Sequence, residues 1–209
     1  MVVLSNRGEL INNILNIEMN MLQEVPVQLR AACQDDLKTF YLMQGAQYVG
    51  WSYETLQSYY NDLLNAKREG KNLMFLKYGR MDNLIDTLNL DPLIEQIIDI
   101  QFQWQKEVAV KYPSLTSQVG RPIEETVEPT MNGSVYFKNY LRSELETYSS
   151  ATLKLLYCDV LTYKEKGSNM VVDIYLNMVT DLGFRSLEEC EKLAKKSAQY
   201  SSHTLISDN

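Results

Sequence analysis

The sequence predicts an all-α fold, and three observations carry that prediction. Apolar residues recur every three or four positions, as in Leu10, Ile14, Met21 and Val25, and so share one helix face. Glycine and proline are scarce, nine and five among 209 residues, and sit at the ends of the periodic segments. Alternating apolar and polar runs, the mark of half-buried strands, are almost absent. The expected architecture is a helical bundle of about seven to eight helices.

The first helix begins at Asn6, whose side chain caps it while Glu9, three residues on, closes a capping box. Its stripe is flanked by Ile11, Leu15 and Leu22, and a loop with Pro26 and Arg30 follows. A second helix begins near Gln34 to Asp36 and runs to about Trp51. Ser52 caps a third, which Gly70 ends in the left-handed conformation after Lys67-Arg68-Glu69. Asn72 caps a fourth helix, from Leu73 to about Leu88. Asp91-Pro92 opens a fifth, with proline in its first turn, and it closes near Tyr112-Pro113. From Pro113 to Gly133 the pattern lapses around Gly120, Pro122 and Pro129, and a long surface or lid-like loop is expected. Helix resumes near Ser134 and continues to Gly167 with a bend at Thr147 to Ser150. The next helix spans Asn169 to Leu182 and is closed by Gly183; Ser186 and Glu189 box the last, which ends near Lys196. Residues 1–196 are read as one domain and 197–209 as a flexible tail.

Two stretches repeat. Leu10-Ile11-Asn12-Asn13-Ile14-Leu15 falls over Leu93-Ile94-Glu95-Gln96-Ile97-Ile98, continuing to Glu24-Val25 over Glu107-Val108. Further on, Tyr60, Asp62, Lys67, Gly70, Asn72 and Tyr78 fall over Tyr157, Asp159, Lys164, Gly167, Asn169 and Tyr175. The offset grows from 83 (Leu10 to Leu93) to 97 (Trp51 to Tyr148), which places an insertion near Gly120. A shared helical period produces apolar matches by itself, but not Lys-x-x-Gly-x-Asn at one phase behind Tyr-x-Asp. The expectation is two duplicated helical halves with pseudo-two-fold symmetry, about 9–88 and about 92–182, plus a C-terminal helix of about 186–196. The shared motif itself reads as structural: glycine ends one helix, asparagine caps the next, and aspartate braces the hairpin.

Composition narrows the function. With 27 acidic and 20 basic residues the net charge is −7, and no basic run offers a phosphate-binding surface, so nucleic acid is not an expected partner. Three cysteines at irregular spacing do not make a disulfide framework or a CxxC site. No leader-like or membrane-spanning segment stands out, and a cytoplasmic location is expected. His203, the single histidine, lies in the tail, which leaves no histidine chemistry; no glycine-rich phosphate loop or metal motif is present, and the cofactor is left unknown.

The candidate site residues are those on which the two copies disagree. Glu18 lies between Ile14 and Met21 on the core-facing stripe, matched by Gln101. A carboxylate there must be paired or protonated, which suits a general acid or base, or else a structural hydrogen bond to tyrosine or arginine. Cys33, Asp35 and Asp36 have no counterpart in the second copy; adjacent acids and a cysteine at a helix start suit ligand contact, with Asp36 a second catalytic candidate, although acids in a first turn also serve the helix dipole. Lys77 and Arg80 lie one turn apart and become Ile174 and Asn177; with Arg121 they form a candidate anion-binding set, or ordinary salt bridges.

The run from Arg30 to Phe40, the pentad Lys77-Tyr78-Gly79-Arg80-Met81 and the hexad Glu144-Leu145-Glu146-Thr147-Tyr148-Ser149 resemble an uncharacterised bacterial family, the domain of unknown function numbered 4125, over about Leu10 to Leu193. That family's pattern has tryptophan after the first-helix glutamate, where this chain has Met19, and glutamate before the Lys-Tyr pair, where it has Leu76. The resemblance implies a bacterial source and no particular activity. Taken together, the residues favour a small-molecule binder or enzyme with a mixed-charge pocket between the halves, suited to a small polar, zwitterionic or carboxylate-bearing metabolite. A helical interaction module or a ligand-free homodimer is the alternative.

Overall fold

The computed structural model describes residues 6–25, 36–121, 123 and 136–204, and among these every regular element is helical. In order they are α1 (Arg7–Gln23), α2 (Leu37–Gln47), a 3-10 turn (Tyr48–Gly50), α3 (Tyr53–Arg68), α4 (Leu73–Met81), α5 (Leu93–Lys111), α6 (Pro113–Val119), α7 (Phe137–Leu145), α8 (Ser150–Glu165), α9 (Met170–Asp181) and α10 (Leu187–Thr204).

Most boundaries follow from capping chemistry. Asn6, Ser52, Asn72, Ser149 and Asn169 all sit in extended backbone and accept from an amide of the first turn that follows. Gly70 and Gly167 close α3 and α8 at φ of 68° and 63°, which an L side chain adopts only with strain.

Four boundaries differ from the sequence expectation. α4 stops at Met81 rather than near Leu88, because Asn83 turns to φ 56° and Leu84 N–H bonds back to the Gly79 carbonyl. Residues Pro113–Val119, expected as loop, form α6: Glu191 of α10 accepts from the Ser114 and Leu115 amides, and Leu115 is buried in the core. The segment read as one bent helix is two, α7 and α8, divided by a turn that Ser149 ends by capping α8. Finally, α10 runs past Lys196 to Thr204; α6 and the division of α7 from α8 bring the α-helices among the described residues to ten instead of seven or eight.

One apolar core joins all parts, from Leu10 and Ile14 of α1 through Leu56 of α3 and Ile97 of α5 to Leu187 of α10. Helix α1 packs on α2, α3 and α4; α5 packs on α7, α8 and α9. The two sets meet where α3 lies on α8, α4 on α7, and α2 on α9. Side chains tie the seam in both directions. Asp159 accepts from the Ser52 amide at 2.9 Å and Thr55 Oγ1 at 2.6 Å, while Asp62 accepts from the Ser149 amide at 3.1 Å and Thr152 Oγ1 at 2.6 Å. Asn72 Nδ2 donates to the Met21 carbonyl and Asn169 Nδ2 to the Trp104 carbonyl, so each hairpin is laced to its own long helix. Close to the seam Trp51, Tyr59 and Tyr148 stack with centroids 4.8 to 5.9 Å apart.

Candidate functional site

Helical spacing on α1 places Glu18 on the same buried face as Ile14 and Met21, and the residue is fully buried. Its Oε1 accepts from Tyr48 Oη at 2.6 Å, Tyr59 Oη at 2.7 Å and Gln44 Nε2 at 3.3 Å, whereas Oε2 has no hydrogen-bond partner. Burial pushes its carboxyl up to about 7, against the lowering effect of the two tyrosine hydrogen bonds; Glu144 raises it further and Lys77 lowers it. Burial, with the neighbouring carboxylates, also holds Tyr48 and Tyr59 well above the usual tyrosine range, so both remain donors.

Gln44 extends this network across the seam. The same Nε2 that reaches Glu18 donates at 3.3 Å to Oε1 of Glu144 on α7. Glu144 is buried, pairs with Lys77 Nζ at 3.1 Å, and leaves its own Oε2 without a partner. Lys77 is equally buried; its ammonium also donates to Tyr140 Oη at 2.7 Å and lies over that ring. Desolvation alone would lower its pKa, but Glu144 and Tyr140 outweigh it and keep the group above the usual lysine range. The buried set thus holds two carboxylates and one ammonium.

A cavity of about 120 Å³ borders this set, room for about four waters at roughly 30 Å³ each, or for a small organic molecule. Glu144, Tyr140 and Leu145 of α7 form one wall, Gln101 and Gln105 of α5 another, and Ile174 and Tyr175 of α9 a third; Met43, Gln47 and Trp51 close it from the first half. Several lining residues fall at positions that align with the buried network in the sequence repeat. Where α1 carries Glu18, α5 carries Gln101; at the offset of 97, Tyr48 becomes Leu145, Tyr59 becomes Leu156 and Lys77 becomes Ile174. All four replacements line the cavity. Two tyrosines and a lysine thus align in sequence with two leucines and an isoleucine of the cavity lining. At the mouth Arg121 lies with its guanidinium carbon 3.7 Å from the centre of the Tyr140 ring. Gly120 is packed so that a Cβ would fall 2.7 Å from Tyr175 Oη, the hydroxyl that accepts from Gln105 Nε2 at 3.0 Å.

The residues singled out from the sequence do not form one constellation. Glu18 and Lys77 belong to the buried network and Arg121 to the cavity mouth. Arg80 is elsewhere engaged, its Nε 2.8 Å from buried Glu146, which also accepts from the Leu88 amide. Asp36 is exposed and caps α2 through the Thr39 amide at 3.0 Å; the Thr39 hydroxyl and amide hold its carboxyl below the usual range. That arrangement favours its helix-start reading. Cys33 and Asp35 lie outside the described residues. Sequence reasoning missed Glu144 and Gln44, the pair that connects the network to the cavity. A signal for Glu144 existed, since it lies three residues after Leu141 and directly before Leu145 on the buried face of α7.

Among the described residues no group of histidine, cysteine, aspartate or glutamate could hold a metal ion, and no helix is long and apolar enough to cross a membrane. The chain belongs to the family described as Protein of unknown function (DUF4125), which matches residues 8–192. No curated protein and no solved structure matches it.

Proposed function

We propose, for this member of a family whose description carries no activity, that the cavity beside Glu144 binds a small metabolite with an apolar body and a charged end. The observation that carries this reading is the buried Glu144 carboxylate, one oxygen of which has no partner, on a residue lining a cavity whose other walls are aromatic and aliphatic side chains with three glutamines and Arg121. A buried acceptor left unmet is costly, and a ligand donor supplies the missing partner. Arg121 stands at the mouth, and among the described residues no carboxylate pairs with it, so a zwitterionic or carboxylate-bearing ligand has a counter-charge at each end. The arrangement modifies the pocket expected from sequence: it is set mainly within the second half, with α2 and Trp51 as a lid from the first.

The reading includes the origin of the cavity. The chain descends from a duplicated helical unit with pseudo-two-fold symmetry, supported by the reciprocal Asp62 and Asp159 braces and the matched Asn72 and Asn169 ties. One copy kept a polar plug of tyrosines and lysine; the other exchanged it for leucine and isoleucine and gained a pocket. A cytoplasmic setting fits the free thiols of Cys158 and Cys190.

The test is a thermal-shift screen of the full chain against amino acids, other carboxylates, nucleotides and phosphorylated metabolites. A hit raises the melting temperature by mass action. It should vanish in Glu144→Gln and in Leu145→Tyr/Leu156→Tyr, which rebuilds the plug of the first half. A hit that survives both variants removes the cavity from consideration. A second reading, partner docking or a homodimer, has its own observation: Leu84, Leu88 and Leu90 between α4 and α5 are exposed, Leu90 by 88%. A concentration-dependent mass in light scattering that Leu90→Asp abolishes would favour it.

A further inference from the structure

The buried network has a charge imbalance that the cavity is placed to correct. Glu18 and Glu144 are both buried and share one amide donor, Gln44, yet the network contains a single ammonium, Lys77. Each carboxylate keeps an oxygen without a partner. An uncompensated charge in such a site is expensive, so with the cavity empty one proton stays on the pair. The groups around Glu18 add no hydrogen-bonded cation to this count: Tyr48, Tyr59 and Gln44 are neutral donors, Tyr148 and Tyr140 are phenols, and Arg121, the other cation lining the cavity, lies over the Tyr140 ring without a hydrogen bond to either carboxylate. Glu144 stands between Glu18 and the cavity, so a cation placed there neutralises the carboxylate that Lys77 otherwise serves.

Resting on the pocket reading above, we propose that the ligand binds ammonium-first: a primary ammonium settles against Glu144 and takes over the role of the proton, which leaves Glu18 for solvent. The exchange balances, since one R–NH3+ enters, one H+ departs, and Glu18 goes from carboxylic acid to carboxylate. The walls of Trp51, Phe137, Tyr148 and Leu156 select an apolar body behind that head group. Binding is therefore linked to protons near neutrality, where Glu18 titrates. Below about pH 7 each bound ammonium expels close to one proton; above it, none.

Four probes with a common isobutyl body separate the possibilities: 3-methylbutylammonium, L-leucine, neutral 3-methylbutan-1-ol and anionic 4-methylpentanoate. Affinity is followed on the whole chain by the fluorescence of Trp51, with Trp104→Phe as the background, and protons by calorimetry in buffers of different ionisation heat. The two ammonium probes should bind at least tenfold more tightly than the alcohol and the anion. Their affinity should rise about tenfold from pH 6 to pH 8 and then level off, as one-site linkage at a carboxyl titrating near 7 requires. Glu18→Gln should flatten the pH dependence while keeping the ammonium preference, and Glu144→Gln should remove that preference. If the alcohol or the anion binds as well as the amines, or affinity is flat with pH in the unmodified protein, the ammonium-for-proton exchange is wrong while the pocket stands. If none of the four binds at millimolar concentration, the pocket reading falls with it.

Discussion

Replacing Glu18 by glutamine isolates the energetic consequence of a buried acid. Glutamine keeps the acceptor oxygen that Tyr48, Tyr59 and Gln44 share, and its amide nitrogen takes the position of Oε2, which has no partner to lose. What it removes is titration. The folded state holds the carboxyl at about 7 against an ordinary value of 4.5, so the native protein retains a proton that the unfolded chain has already released. Because this acid is raised on folding, its contribution to stability is fully present below the unfolded value and is lost as pH rises through about 7. At about 1.4 kcal/mol per decade, the unmodified protein should lose roughly 2.5 kcal/mol between pH 5 and pH 8 through this group. Urea unfolding of both proteins at pH 5, 6, 7 and 8 measures it, and subtracting the curves cancels the other carboxylates. The stability of Glu18→Gln relative to the unmodified protein should climb by about that amount and level off at the upper end. A difference curve flat to within about 0.5 kcal/mol would refute the claim that Glu18 enters the fold as an acid. Glu18→Leu should behave differently, destabilising at every pH, because it strands two buried hydroxyls and an amide at roughly 1–3 kcal/mol each.

Asp62→Ala and Asp159→Ala should each lower unfolding stability by about 1–3 kcal/mol, and by similar amounts, since each removes the acceptor of a backbone amide and a threonine hydroxyl across the α3–α8 seam, the threonines keeping only serine partners. Arg80→Ala should cost about 2–3 kcal/mol by leaving Glu146 buried against a single amide, whereas Lys138→Ala, at a pair whose Asp99 is 70% exposed, should cost less than about 1 kcal/mol; chemical denaturation compares them. Gly120→Ala should destabilise by about 1–3 kcal/mol and abolish cavity binding together, because its Cβ would fall 2.5 Å from the Thr116 carbonyl oxygen and displace Tyr175.

Much of the fold was legible because helix boundaries are local chemistry. A capping serine or asparagine, a glycine at positive φ and an apolar stripe act within a few residues, and Ser52, Asn72, Gly70 and Gly167 perform the roles their types imply. Boundaries were misjudged where a distant part of the chain intervened. Pro113–Val119 is helical because Glu191, far along the sequence, accepts its first amides. The end of α4 at Met81 was missed for a local reason: two residues on, Asn83 takes the left-handed conformation, which its residue type tolerates but does not announce.

The candidate site divides along the same line. By itself the sequence determined that Glu18 is a carboxylate on a core-facing stripe and that Lys77 and Arg80 lie one turn apart on one helix. It could not assign Glu18 its tyrosines, couple Lys77 to Glu144, or set Arg80 aside on Glu146, since those partners lie on other helices. Nor could it reveal the cavity, because empty volume depends on how large side chains from several helices meet, and only packing shows which of them fail to fill the space between α5, α7 and α9. Periodicity is a property of one segment; burial, pairing and voids are properties of segments brought together, and those the tertiary structure decided.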